Sequence, residues 1–218
     1  MTLSKSFWQR WVAKTLLHLA AAMPLALLGF RVVLHPESLG ANPVATLIHE
    51  LGLWALRLLL LTLALTPLRH LTHSAVWLLY RRMLGLWAAA YTLLHLLAYV
   101  GIDQRFDLPV LIEDVLKRPW ITIGFAASLI LLVLSITSTH AMMRRLGRRW
   151  QTLHSSVYAA ALLGLWHFYW QVKKDIRAPL AYAIVFAVLM LIRVVRSRRF
   201  KAKFAPATVP GKTSARVL

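Results

Sequence analysis

The chain has 218 residues, 59% of them hydrophobic and only 15% charged, with a mean hydropathy of +0.63. A soluble domain is about 45–50% apolar and about 25% charged, so this composition indicates an integral membrane protein too short for a second sizeable domain. The formal net charge of +19 would suggest nucleic-acid binding in a soluble protein. Here the cations cluster at the ends of apolar segments and near the C-terminus. This distribution favours a role in membrane topology and in contact with membrane lipid over nucleic-acid binding.

Six apolar segments reach the length of about 20 residues that a membrane-spanning helix needs. In chain order they cover residues 15–34, 44–65, 83–102, 120–138, 154–172 and 179–195. The first is long for the apolar core of a signal peptide and has no convincing cleavage site, so we expect it to be a spanning helix. The sequence therefore predicts an all-α integral membrane protein, a six-transmembrane-helix bundle over residues 1–196. A basic, flexible cytoplasmic tail over residues 197–218 follows.

The charged residues predict the orientation of this bundle. Most cations fall on one side of it: Lys5, Arg10, Lys14, Arg69, Arg81, Arg82, Arg144, Arg145, Arg148, Arg149 and the tail from Arg193 to Arg216. The loops on the other side, residues 34–43, 103–119 and 173–178, have fewer cations and several acidic residues. Because positively charged loops stay inside, we expect both termini to be cytoplasmic.

Three histidines lie within the apolar runs: His95, His154 and His167. An imidazole in hydrocarbon is costly and normally has a partner. The chain has no cysteine, which excludes thiolate-ligated clusters and covalent haem attachment and leaves imidazole as the strongest transition-metal ligand available. Axial histidines hold haem iron in many proteins, so these residues are candidate haem ligands. Hydrogen-bonded packing residues are the alternative.

Depth in the membrane pairs two of these histidines. His95 precedes Asp103 by eight residues, and His167 precedes Lys173 by six. Their helices run in the same direction, and at about 1.5 Å per residue both side chains lie roughly 9–12 Å inside the far boundary. We therefore expect His95 and His167 to face each other across one haem.

His154 cannot share that haem, because it lies near the cytoplasmic charges, five residues after Arg149. The 13 positions between His154 and His167 place them about 140° apart around an ideal helix. His154 is therefore a candidate ligand of a second haem nearer the cytoplasm, with His18 at a suitable depth as its partner. Packing remains the alternative for both.

Arg57 lies in the middle of the second segment, where a cation costs several kcal/mol unless it is compensated. It is a candidate partner for an anionic cofactor group, a haem propionate or a flavin phosphate; snorkelling to the interface is the alternative.

Several motifs carry a family resemblance: RRMLGLWAAAYTLLHL, then TSTHAMMRRLGRRWQTLHSSVY with LLGLWHFYW, and ALTPLRHL between the second and third segments. Over about residues 10–195 the chain resembles the haem-binding membrane subunit of the bacterial periplasmic protein-methionine-sulfoxide reductase system, the MsrQ/YedZ family. The resemblance implies a fold similar to the ferric reductase and NADPH oxidase transmembrane domain, haem b and FMN as cofactors, and a multi-pass position in the inner membrane. The family's haem histidines map onto His95, His154 and His167. The broader oxidase pattern has two histidines on helix 3 and this chain has one, so one or two haems remain possible.

The resemblance also implies a function. Electrons would pass from the quinone pool or a cytoplasmic flavin reductase to a periplasmic molybdenum-containing methionine sulfoxide reductase, which repairs oxidised periplasmic proteins. The chain has no GxGxxG motif and no hydrolytic constellation, so we expect an electron relay without substrate chemistry of its own. The acidic loop 103–119 is the candidate docking surface for the partner.

The alternative functions are those of a stand-alone ferric reductase and of a proton or metal transporter. No inverted repeat or matched pair of broken helices supports transport.

Overall fold

The computed structural model describes residues 5–172 and 175–196, with side chains from residue 11 onward. These residues form helices and connecting turns without a strand. The α-helices are α1 (Lys5–Leu34), α2 (Pro43–Thr72), α3 (Leu78–Leu97), α4 (Leu108–Lys117), α5 (Pro119–Ile136), α6 (His140–Leu146), α7 (Arg148–Ser155), α8 (Val157–Gln171) and α9 (Arg177–Val195). Short 3₁₀ turns cover Pro36–Leu39 and Ala75–Trp77, and a π-helical turn, Ala98–Asp103, extends α3. The expected tail over 197–218 lies outside the described residues.

Five helical segments of the described chain are long and apolar enough to cross a membrane: Trp11–Leu34, Pro43–Thr72, Ala75–Asp103, Pro119–Ile136 and Arg177–Val195. The protein is therefore a multi-pass membrane protein. The expected span 154–172 is divided, because α7 ends at Ser155 and α8 begins at Val157. α8 has 15 residues, about 22 Å of helix, which is shorter than the hydrocarbon core of about 30 Å.

Two helix pairs form the framework of the bundle. α2 packs along α3, α5 packs along α8, and α3 contacts α5 and so joins the two pairs. Small side chains line the contacts, with Ala88 on α3 and Ala160 and Ala161 on α8 at most 1% exposed. Alanines of this kind let helix backbones approach closely, which is how membrane helices gain packing energy. The pairing brings the C-terminal halves of α3 and α8, which carry His95 and His167, to the same part of the molecule.

The segment 103–119, expected as an acidic docking loop, mostly forms a helix. Asp107 caps α4 by accepting a hydrogen bond from the Val110 backbone N–H, with a proline in the first turn. Asp114 is buried, accepts a hydrogen bond of 2.7 Å from the Tyr99 hydroxyl and forms an ion pair with Arg118. Asp114 therefore fastens α4 to the π-helical turn, and the docking role expected of this segment stays a prediction for its exposed acidic residues.

Candidate functional site

His95 and His167 come together between the two helix pairs. Their ring centroids are 6.2 Å apart, with the ring planes at 79° to each other. Both side chains are partly buried. Residues 72 positions apart in the chain (from 95 to 167) thus form a facing pair of imidazoles, as the depth argument predicted for their positions.

Each imidazole of this pair is held by a backbone carbonyl of the neighbouring helix. Nδ1 of His95 lies 2.8 Å from the Ile48 carbonyl oxygen of α2, and Nδ1 of His167 lies 2.7 Å from the Trp120 carbonyl oxygen of α5. A carbonyl oxygen only accepts, so Nδ1 must donate its N–H in both rings. In the neutral ring the Nε2 lone pair is then free, which is the form that binds a metal.

Two glycines make room for these rings. A Cβ atom built on Gly52 would lie 3.0 Å from Nδ1 of His95, and one built on Gly124 would lie 2.6 Å from Nδ1 of His167. The sequence reasoning did not find these residues, because glycine has no side-chain chemistry to signal a site. A signal was nevertheless present: each glycine precedes its histidine by 43 residues, from 52 to 95 and from 124 to 167.

His154 lies apart from this pair, on α7. Its Nε2 is 3.1 Å from the Thr137 hydroxyl, and its ring stacks on Trp150 with 4.0 Å between centroids. The Thr137 hydroxyl already donates to the Val133 carbonyl at 2.7 Å, so it accepts from His154. Nε2 therefore carries the proton in this arrangement.

His18, the expected partner of His154, is exposed on α1. Its Nδ1 accepts a hydrogen bond of 2.9 Å from the Trp87 indole N–H, and the two rings are in contact. The ring contacts of the described residues do not join His18 to His154. The structure thus gives His18 and His154 separate neighbours.

Arg57 lies on α2, close to α9. Its Nε donates to the Tyr182 hydroxyl at 2.8 Å, and its guanidinium lies 4.7 Å from the centre of the Trp54 ring. Among the described contacts only Nε has a hydrogen-bond acceptor, so the terminal nitrogens remain available to an anionic group.

The separation of the two imidazoles suits two nitrogen ligands of one metal ion. A metal–imidazole bond of roughly 2 Å, with about 1.1 Å from the ring nitrogen to the ring centre, places two such centroids about 6 Å apart. No cluster of three or more His, Cys, Asp or Glu side chains that could hold a metal ion occurs in the described part of the chain. The pair therefore suits an ion that brings its other ligands with it, as haem iron does, and the residues present fit haem b.

Comparison with known proteins identifies the family of this chain. The family model described as "Ferric reductase like transmembrane component" matches residues 51–165. The "Protein-methionine-sulfoxide reductase heme-binding subunit MsrQ" of Xanthomonas axonopodis pv. citri (strain 306) is 50% identical over 202 residues, which cover 91% of this chain and 93% of that protein. The protein of the same name from Caulobacter vibrioides (strain ATCC 19089 / CIP 103742 / CB 15) is 47% identical over 192 residues, covering 88% of this chain and 90% of the relative.

These relatives match nearly the whole bundle, and the family model covers the helices that carry His95 and His154. Identity at this level and coverage is found between members of one family, and the ferric reductase-like match indicates electron transfer within the membrane. The chain therefore belongs to the MsrQ family of haem-binding subunits of protein-methionine-sulfoxide reductase.

Proposed function

We propose that this protein is the membrane haem b subunit that passes electrons to a periplasmic methionine sulfoxide reductase, with His95 and His167 as the residues that would hold the haem. The observation that carries the proposal is the facing pair of imidazoles, 6.2 Å apart, each with its Nδ1 bonded to a backbone carbonyl. The names of the relatives support the haem and the reductase system.

The residues of the site have separate tasks in this function. Haem b bound there would supply a one-electron carrier inside the membrane. His95 and His167 would hold it through Nε2, while the carbonyls of Ile48 and Trp120 keep both rings in the required tautomer. The apolar helices around the site exclude water and set a low dielectric constant.

Alanine variants of the two histidines test the site. His95→Ala and His167→Ala should each remove the b-type absorbance of the haem that this pair would hold, in a reduced-minus-oxidised spectrum of the purified protein, because one of its two ligands is lost. His35→Ala is the control, since His35 is exposed and contacts Phe30 and Glu37 rather than the pair. Full haem content in both ligand variants would contradict the assignment.

We place the protein in the bacterial inner membrane as a six-crossing bundle with both termini in the cytoplasm, and α8 as the crossing that completes the six. The clustering of cations supports this orientation. At one end of the molecule Arg82 bonds to His140, and Arg196 donates to the carbonyl of His70. The same end carries the arginines of α6 and α7, as the positive-inside rule requires of the cytoplasmic face.

We infer that the electrons come from the quinone pool or a cytoplasmic flavin reductase and leave to a periplasmic molybdenum-containing reductase. The protein itself has an electron-relay role, and the substrate chemistry belongs to the partner. FMN, expected from the family resemblance, stays a prediction.

Reconstitution in liposomes tests the direction of electron flow. With reduced quinol or a flavin reductase as donor, addition of the oxidised partner outside should bleach the reduced b-type band, and His95→Ala should abolish the effect. If ferric chelates bleach the band as fast as the partner does, the protein is a stand-alone ferric reductase. A wild-type protein without any b-type band would favour a transporter.

A further inference from the structure

The two histidines of the site are held by the same arrangement, built twice. Nδ1 of His95 bonds to a carbonyl 47 residues earlier, and Nδ1 of His167 also bonds to a carbonyl 47 residues earlier. In each case a glycine follows the carbonyl by four residues, Gly52 after Ile48 and Gly124 after Trp120. One helical turn of α2 and one of α5 thus present a carbonyl and a bare backbone surface to the imidazole of a neighbouring helix.

The distances between these helix backbones and the imidazoles leave no room for a side chain at Gly52 or Gly124. A Cβ at Gly52 would lie 3.0 Å from Nδ1 and 3.1 Å from Cε1 of His95, and a Cβ at Gly124 would lie 2.6 Å and 2.8 Å from the same atoms of His167. These are the edges of the rings that carry the Nδ1–H···O=C bonds. A side chain at either position would therefore push the imidazole away from its carbonyl.

The glycines of α3 and α8, the helices that carry the two histidines, do not have this role. On α3, a Cβ at Gly85 would have an ordinary contact of 3.6 Å with Thr62, and on α8 a Cβ at Gly164 would have no neighbour within 4 Å. A Cβ at Gly101 would also be close to a neighbour, 3.0 Å from the Phe106 ring, but among the described glycines only Gly52 and Gly124 approach a histidine this closely.

We propose that Gly52 and Gly124, each with the carbonyl one turn before it, are paired positioning residues that set the haem affinity and the reduction potential through His95 and His167. This inference rests on the proposed haem function. A carbonyl that accepts a hydrogen bond from Nδ1–H orients the ring and makes its Nε2 a more basic ligand. A more basic axial ligand favours the oxidised iron, so the intact bonds keep the reduction potential low.

Alanine substitution should weaken this arrangement without harming the helices, since alanine is a better helix former than glycine. Gly124→Ala should have the larger effect, because the contact at Gly124 is shorter than that at Gly52. Loss of such a supporting bond typically lowers metal affinity by about 10–100-fold.

The experiment compares the purified full-length protein with four variants: Gly52→Ala, Gly124→Ala and the controls Gly85→Ala and Gly164→Ala. Haem per protein, the low-spin electron paramagnetic resonance signal and the midpoint potential are measured for each. We expect the two site variants to lose haem on dilution, to lose part of the low-spin signal and to shift the midpoint potential to more positive values. The controls should match the wild type in all three.

Several outcomes would overturn the inference. Site variants with wild-type haem affinity, spin state and potential would do so, and so would controls that change as much as the site variants. If Gly124→Ala does not accumulate in the membrane, Gly52→Ala with its longer contact decides the question by the same criteria. A wild-type protein that binds no haem would instead refute the proposed function, which distinguishes the two failures.

Discussion

At the scale of single residues, hydrogen bonding at the ring nitrogens divides the candidate histidines into two groups. His95 and His167 donate from Nδ1 and leave Nε2 free. His154 donates from Nε2 to Thr137, and His18 accepts at Nδ1 from Trp87, so in the neutral rings the proton of both lies on Nε2. The first pair is ready to bind iron as it stands, whereas His154 and His18 would have to change their partners first.

His154 would lose little free energy by releasing its hydrogen bond to Thr137. A second haem held by His154 therefore stays a prediction. Releasing the Thr137 bond costs a net of about 0.5–1.5 kcal/mol, which is small beside a metal–ligand bond. We expect an iron-to-protein ratio near two that falls toward one in His154→Ala, and Thr137→Val should leave it at two or tighten the second haem, because it removes the competing hydroxyl. A ratio of one that His154→Ala does not alter would leave His154 a packing residue.

Arg57 gives a second prediction at this scale. If its free terminal nitrogens bind an anionic cofactor group, Arg57→Gln should release haem or flavin more readily than the wild type. Tyr182→Phe is the control, because it removes only the hydroxyl that accepts from Nε and should cost about 0.5–1.5 kcal/mol of stability with little loss of cofactor. The fraction of cofactor retained during gel filtration is measured for both variants. Equal retention in the two variants would show that Arg57 has a structural role.

At the scale of elements, Tyr91 joins α1 to α3 in an unusual way. Its side chain is fully buried, and its hydroxyl accepts from the Leu25 backbone N–H at 3.0 Å and donates to the Ala21 carbonyl at 2.8 Å. Leu25 and Ala21 are four residues apart, so the hydroxyl occupies the place of one helical hydrogen bond of α1, next to Pro24. Such an insertion is a known cause of a bend in a helix.

Tyr91→Phe should therefore destabilise the bundle by about 1–3 kcal/mol, since two buried backbone groups lose their partner. Thermal unfolding in detergent measures this, with Tyr169→Phe as the control because Tyr169 is 49% exposed. An unchanged unfolding temperature in Tyr91→Phe would mean that α1 closes its own hydrogen bond at no cost.

Sequence reasoning worked best where long apolar segments and charges dominate. It predicted five of the spans and the proximity of His95 and His167, because hydropathy and loop charge depend only on composition and order. It failed for α4, which is too short for a span, although Asp107 and the proline after Leu108 are a helix-start signal. It also failed for Gly52 and Gly124, because their role is a distance between helices, and only packing fixes that distance.

At the scale of the whole molecule, the orientation can be tested directly, because the natural chain has no cysteine. Single cysteines at the exposed positions Ala41, Ala141 and Ala178 would lie before α2, in α6 and at the start of α9. In intact cells a thiol reagent that penetrates the outer membrane but not the inner one should label Ala41→Cys and Ala178→Cys. Ala141→Cys should be labelled only after the inner membrane is opened, because the positive-inside rule predicts a cytoplasmic position for the end that carries Arg144 and Arg145.

The same three variants decide whether α8 crosses the membrane. Its 15 residues are short for a crossing, but α7 precedes it with only Ser156 between them, and a thinned bilayer or interfacial anchors can accommodate a short helix at modest cost. Trp166, Tyr169 and Trp170 are exposed near its end, where aromatic side chains anchor helices at the interface. If α8 crosses, Ala141→Cys and Ala178→Cys are labelled from opposite sides. If both are labelled from the same side, the bundle has five crossings, and His167 approaches His95 from a helix that enters the membrane without leaving it.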